Sequence, residues 1–97
     1  MKTFQKIYKV VSSIPEGKVI SYKQVAKLTK ISNARIVGFA LHVNDNPIKI
    51  PCHRVVKNNR KLSKGYAFGG EKGQRAKLIE EGIKFIENKI PTEFFLN

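Results

Sequence analysis

Two short apolar-patterned segments, each behind its own capping residue and joined by a tight turn, constrain this chain more than any other feature. Ser21-Tyr22-Lys23-Gln24 has the capping-box pattern, a Ser cap with Gln three residues on. It predicts a helix from about Tyr22 to Thr29 that buries Val25 and Leu28. Lys30-Ile31-Ser32 is a turn, and Ser32 or Asn33 can cap a third helix from about Ala34 to Val43, with Val37, Ala40 and Leu41 facing inward. Two such helices make a helix-turn-helix, a unit that delivers its second helix to a DNA groove. A plain helical corner in a core has the same pattern. Charge separates the two readings: 19 Lys+Arg against 7 Asp+Glu give a net charge of +12 on 97 residues. A field of that size favours a polyanion, most simply nucleic acid.

The remaining segments fit around this unit. Phe4, Ile7, Tyr8, Val10, Val11 and Ile14 recur at helical spacing, so Thr3 to Ile14 reads as a first helix with Thr3 as its cap. Pro15-Glu16-Gly17 breaks it, and Val19-Ile20 is a short extended piece. Asn44-Asp45-Asn46-Pro47 ends the third helix, and Ile48 to Pro51 reads as extended. Cys52 to Val56 continues as a buried apolar stretch, and Lys57 to Lys61 is a basic turn at the tip of a hairpin or wing. Gly65 to Gly70 is an aromatic-bearing loop. Glu71 to Glu81 is the last helix, weakened locally by Gly73 and followed by Gly82. In the tail, 83–97, Phe94-Phe95-Leu96 is placed to cover an apolar patch. The fold class expected is mostly α: a winged helix-turn-helix-like domain with a short β-hairpin or wing, and a single domain over 1–97.

Several function classes are excluded or disfavoured. One cysteine rules out an internal disulfide and a Cys-rich zinc site. His42 and His53 have no cluster at metal-ligand spacing, so no metal is expected. No segment is long and apolar enough to span a bilayer, and no N-terminal charged-then-apolar signal is visible, so an intracellular monomer in the cytoplasm or nucleoid is expected.

The chemistry gathers at Pro51-Cys52-His53-Arg54-Val55. Adjacency of a thiol and an imidazole is by itself compatible with an inert core cysteine. On a chain this basic, it also suggests a reactive thiolate brought to nucleic acid. The wider pattern decides between these. Pro51-Cys52-His53-Arg54-Val55-Val56 resembles the active-site motif of the O6-alkylguanine-DNA alkyltransferases, the methylated-DNA–protein-cysteine methyltransferases. The resemblance extends to Thr3-Phe4-Gln5, Ile14 to Val19, Ser21-Tyr22, Ala34 to Gly38, Asn44, Gly65-Tyr66 and Glu81-Gly82. It covers 3–82 in order, with small length differences before Arg35 and around the Tyr66 loop.

The resemblance implies direct, irreversible repair of O6-alkylguanine in double-stranded DNA, leaving activity on O4-alkylthymine open, with base flipping, a single turnover and no cofactor. It implies Cys52 as nucleophile and His53 as its base through a water. Glu81 is the carboxylate that orients the histidine, with Glu80 one residue away as the alternative. Tyr66 is the proton donor to the leaving guanine, and Asn44 ties the recognition helix to the active-site strand. Val55 and Tyr66 lie at the base. Arg35 fills the vacated stack, and Tyr22 pushes the target phosphate. Ala34 and Gly38 allow close approach in the minor groove, where Ile36 and Phe39 are bulkier than the residues common there. Thr3, Lys23 and Asn58 fall where family members touch phosphates. Two other readings stand beside it: an alkyltransferase-like protein, which binds the lesion without transfer and lacks the cysteine, and a winged-helix regulator.

Overall fold

The computed structural model describes residues 2–96. Helix α1 spans Thr3–Ser12, α2 Tyr22–Thr29, α3 Ala34–His42 and α4 Gly70–Glu80. Two short strands, β1 Ile20–Ser21 and β2 Val55–Val56, complete the regular elements, with single 3-10 turns at Cys52–Arg54 and Thr92–Phe94. The mostly α, helix-turn-helix fold is the one the pattern predicts.

Local chemistry explains the ends of the elements. Ser21 caps α2 by accepting from the Gln24 N–H at 3.1 Å. Asn33, rather than Ser32, caps α3, accepting from the Arg35 N–H at 2.9 Å. For α1 the cap is Lys2, not Thr3; the Gln5 side chain returns to the Lys2 N–H at 3.3 Å, and Thr3 is the first helical residue. The helix stops at Ser12, two residues before the predicted end, where Ser13 and Ile14 turn tightly onto the Val10 and Val11 carbonyls ahead of Pro15.

Two further expectations are corrected. Leu28 is 54% exposed, and Thr29 takes the inward position. Its hydroxyl donates back to the Val25 and Ala26 carbonyls at 2.8 and 3.1 Å, so the polar group is satisfied and the side chain can be buried. Residues 47–49 form a turn instead of an extended run. Asn46 holds it from both its backbone and its side chain, leaving Ile48 94% exposed.

The sheet pairs β1 with β2 in parallel, Ile20 opposite Val55 and Ser21 opposite Val56. It is therefore not the hairpin of the 57–61 segment. That segment forms a wing-like turn, closed by Lys57 N–H donating to the Lys61 carbonyl at 3.1 Å, and it docks on the tail through Ile90 N–H and the Arg60 carbonyl at 2.9 Å.

Alternation along these strands organises two cores. Ile20 and Val55 face the first, built from Ile7, Val11, Val25, Val37, Ala40 and Leu41 of the three N-terminal helices together with Cys52 and Tyr66. Val19 and Val56 face the second, with Leu62, Leu78, Ile83 and Ile90. Phe94 and Phe95 pack on this second core, as their position in the tail suggested, while Leu96 is 38% exposed.

Gly73 has a packing reason. It lies inside α4, and a Cβ there would stand 2.5 Å from the Phe68 carbonyl oxygen, a backbone atom of the Tyr66 loop. Alanine normally gains about 1 kcal/mol over glycine in a helix. Here the collision exceeds that gain, so Gly73→Ala should lower the melting temperature and destabilise the fold by about 1–2 kcal/mol net. An unchanged or raised melting temperature would show that the loop yields freely.

Candidate active site and nucleic-acid interface

Cys52 opens the 3-10 turn between Pro51 and β2 and is 3% exposed. Its N–H donates to the Ile50 carbonyl at 2.7 Å. Asn44, itself buried just beyond α3, donates through Nδ2 to the same carbonyl at 3.0 Å. Asn44 thus joins the end of the third helix to the segment just before the cysteine turn. Burial pushes the Cys52 thiol up from its ordinary value, against the Asn44 hydrogen bond and the positive charge of Lys77. A thiol held this way needs a base to become a nucleophile.

An imidazole follows it in the chain. His53 is buried, and its Nε2 lies 2.6 Å from Glu81 Oε2. Glu81 also receives Arg54 Nη2 on Oε2 at 2.8 Å, Arg54 Nε on Oε1 at 3.0 Å and the Gly17 N–H on Oε1 at 3.1 Å. Gly17 has a φ of 84°, a left-handed conformation that suits glycine and turns its N–H toward the carboxylate. Glu80 is exposed and makes no such contact. The structure brings Glu81, and not Glu80, to the histidine.

Protonation follows from this arrangement. Burial alone would raise the Glu81 carboxyl, but Arg54, His53 and the Gly17 N–H together hold it below its ordinary 4.5. Burial pushes His53 below its ordinary 6.5, outweighing the opposing pull of Glu81. At neutral pH the pair is therefore an ionised carboxylate and a neutral imidazole. A carboxylate only accepts, so Nε2 carries the proton and donates it to Glu81. Nδ1 is left with a lone pair, buried and without a partner among the described residues.

Tyr66 completes the cluster. It is 7% exposed, stacks edge-on against Phe68 and shares the first core with Cys52. Its hydroxyl is buried and has no partner among the described residues. Burial, with a smaller contribution from Cys52, pushes its pKa up to about 12, so it stays a proton donor at neutral pH. Val55 is fully buried; its N–H donates to the Cys52 carbonyl and its carbonyl accepts from Gln74.

Two residues of this site were given no role by sequence reasoning. Arg54 clamps Glu81 and also donates through Nη1 to the Ile14 carbonyl at 2.8 Å. Its place inside the motif was the available signal. Gln74 is fully buried in α4. It donates to the His53 and Val55 carbonyls at 3.0 Å each and accepts from the Ser63 N–H at 3.0 Å. Nothing in its sequence setting marks it, because its partners are backbone atoms distant in the chain.

The predicted DNA residues divide into two groups. Tyr22, Ala34, Arg35 and Gly38 line one open pocket of about 500 Å³, shared with Phe39, His42, Ser63 and Gly65. Thr3, Lys23 and Asn58 are exposed outside it. Phe39 is 60% exposed and leans edge-on against Phe4. Among the described residues no cluster of metal-ligating side chains occurs, and no helix is long and apolar enough to cross a membrane.

Comparison with known proteins agrees with this geometry. The family described as 6-O-methylguanine DNA methyltransferase, DNA binding domain, matches residues 2–83. The chain belongs to this family. A methylated-DNA–protein-cysteine methyltransferase of Candida glabrata is 39% identical over 85 residues, 87% of this chain and 40% of that protein. The chain spans about two fifths to one half of the length of the curated methyltransferases it matches. Alkyltransferase-like protein 1 of Schizosaccharomyces pombe is 34% identical over 95 residues, 97% of this chain and 87% of that protein. A crystal structure of S. pombe Atl1 in complex with damaged DNA containing O6-carboxymethylguanine superposes with a TM-score of 0.87 at 30% identity, covering 100% of this chain and 99% of that one.

The Glu81 cluster makes stability depend on acid. Both His53 and Glu81 have folded-state pKa values below their ordinary ones, so in each case the unfolded chain binds protons first. Stability should fall in two stages on acidification, first as pH drops below 6.5 through His53 and then below 4.5 through Glu81. Glu81→Gln should cost about 3 kcal/mol at neutral pH by stranding Arg54 and erase the lower stage. Denaturant titrations between pH 7 and 3 check this, and a flat profile in the native protein would contradict it.

Proposed function

We propose that this chain repairs O6-alkylguanine in double-stranded DNA by moving the alkyl group onto Cys52, once per molecule. The observation that carries the reading is the unclaimed Nδ1 lone pair of a neutral His53, bonded through Nε2 to an ionised Glu81 and next in the chain to the only thiol. His53 takes the thiol proton through a water. The Cys52 thiolate attacks the alkyl carbon, and an S–C bond forms as the C–O6 bond breaks. The electron pair passes to guanine, whose ring nitrogen receives a proton from the Tyr66 hydroxyl, and the proton taken up by His53 returns through solvent to the Tyr66 phenolate. The products are a thioether at Cys52 and an unmodified guanine, so no cofactor enters the balance. The site is buried, which accords with a base that must leave the stack to reach it.

The DNA roles follow the same reading. Arg35, on the exposed face of α3, fills the place of the extruded base, and Tyr22 acts at its phosphate. Ala34 and Gly38 let α3 approach the minor groove; Thr3, Lys23 and Asn58 hold the backbone. The whole of 1–97 acts as one domain, its tail serving the second core through Ile83 and Ile90.

A specific observation favours a second reading. The near full-length likeness to alkyltransferase-like protein 1, 87% of that protein, supports lesion binding without transfer. Cys52 opposes it. Intact-protein mass after incubation with a duplex containing one O6-methylguanine separates the two. A gain of one methylene, mapped to Cys52 and capped at one equivalent, is expected; tight lesion-selective binding with no gain selects the binder. Cys52→Ser should retain lesion binding and lose transfer.

Arg35→Ala should slow transfer from duplex by more than about tenfold, because flipping costs a few kcal/mol. Its reaction with free O6-alkylguanine should change little. Equal losses in both assays would remove the stacking role of Arg35.

A further inference from the structure

The DNA-facing pocket and the Tyr66 loop are joined by a contact that the proposed roles leave unused. Arg35, Phe39 and His42 recur at the spacing of one helix face and line the same pocket. At the end of that stripe, His42 Nδ1 lies 3.0 Å from the Gly65 carbonyl oxygen, one residue before Tyr66. A carbonyl can only accept, so Nδ1 carries the proton and donates. The loop is anchored again from the opposite side. Gly65 N–H donates to Ser63 Oγ at 3.2 Å, and Ser63 N–H donates to Gln74 Oε1 at 3.0 Å. Gln74 in turn holds the His53 and Val55 carbonyls. The segment 63–66 is thus held between the helix that carries Arg35 and the turn that carries Cys52.

We infer that His42 is a positioning residue for alkyl transfer: its ring latches the Tyr66 loop to the C-terminal end of α3, so the helix that enters DNA also sets where the Tyr66 hydroxyl stands. This rests on the reading of Tyr66 as proton donor given above. The other candidate role for a basic side chain in this pocket is a direct contact to DNA, and the two roles move different quantities. A latch acts on the rate constant and on the order of the loop; a DNA contact acts on affinity.

The test compares His42→Ala with His42→Asn, whose side-chain amide replaces Nδ1–H as a donor to the Gly65 carbonyl. His42 is exposed, so neither change removes core packing. In the free protein, amide hydrogen exchange over Gly65–Gly70 should be about fivefold faster in His42→Ala, the effect of losing one hydrogen bond, and should return toward the native rate in His42→Asn. At saturating O6-methylguanine duplex, the transfer rate constant should fall about fivefold in His42→Ala and recover in His42→Asn, with Kd for the duplex changed by less than about twofold in both. A weakened Kd with native loop exchange and a native rate constant would overturn the latch in favour of direct DNA contact. Native behaviour of His42→Ala in all three measurements would overturn it as well. Absence of transfer in the native protein would sink the proposed reaction instead, and loop exchange would still decide the latch.

Discussion

The Glu81 carboxylate is the node on which the rest of the site depends. It sits just past the end of α4, yet it gathers Arg54 and His53 from the cysteine turn and the N–H of Gly17 from the loop before β1. Through Arg54 the network reaches the Ile14 carbonyl at the exit of α1. Three chain segments far apart in sequence are therefore pinned by one side chain. A buried carboxylate is tolerable only when its charge is matched and its lone pairs are filled. Meeting that requirement also settles the tautomer of His53 and so the location of the free lone pair.

The parallel β1–β2 pair is small, but it divides the molecule. Because successive side chains alternate across a strand, Ile20 and Val55 close one core while Val19 and Val56 close the other. The first core carries the helix-turn-helix and the thiol. The second seats α4 and the tail, and therefore holds Glu81 and Gln74 in place. The candidate site lies at the seam between them, where Gln74 reaches the backbone on either side of Arg54. The site is thus built on regular elements and short turns anchored to them, which keeps reacting groups in register more closely than free loops do.

Charge is distributed unevenly along the chain. Up to Asn44, the basic residues Lys2, Lys6, Lys9, Lys18, Lys23, Lys27, Lys30 and Arg35 are opposed only by Glu16. The remaining acids fall at Asp45 and beyond, and include the one that serves the histidine. The half that presents α3 accordingly has the larger net positive charge, and the Glu81 carboxylate lies in the other half. Its charge is neutralised locally by Arg54 and does not weaken the field over the helix-turn-helix.

Much of the fold was legible because its signals are local. The Ser21 box placed α2 at its observed bounds, Asn33 marked the start of α3, and Gly82 followed the end of α4. The motif at 51–56 and the family resemblance it carries were enough to nominate Tyr66 and Glu81, with Glu80 as the alternative acid. Errors fell where a non-local partner or a satisfied hydroxyl overrode the pattern, as with Leu28 against Thr29, or where a side chain folded a turn, as Asn46 does at 47–49. The amino-acid sequence by itself determined the helix-turn-helix, the family, the thiol–imidazole pair and the net positive charge, since capping, periodicity, motif and charge are properties of neighbouring residues. Only the tertiary structure decided that Glu81 and not Glu80 meets His53, that Arg54 and Gln74 serve the site, and that the strands pair in parallel. Each of these depends on which distant backbone atoms and charges meet in a buried space, where an unmatched charge is costly.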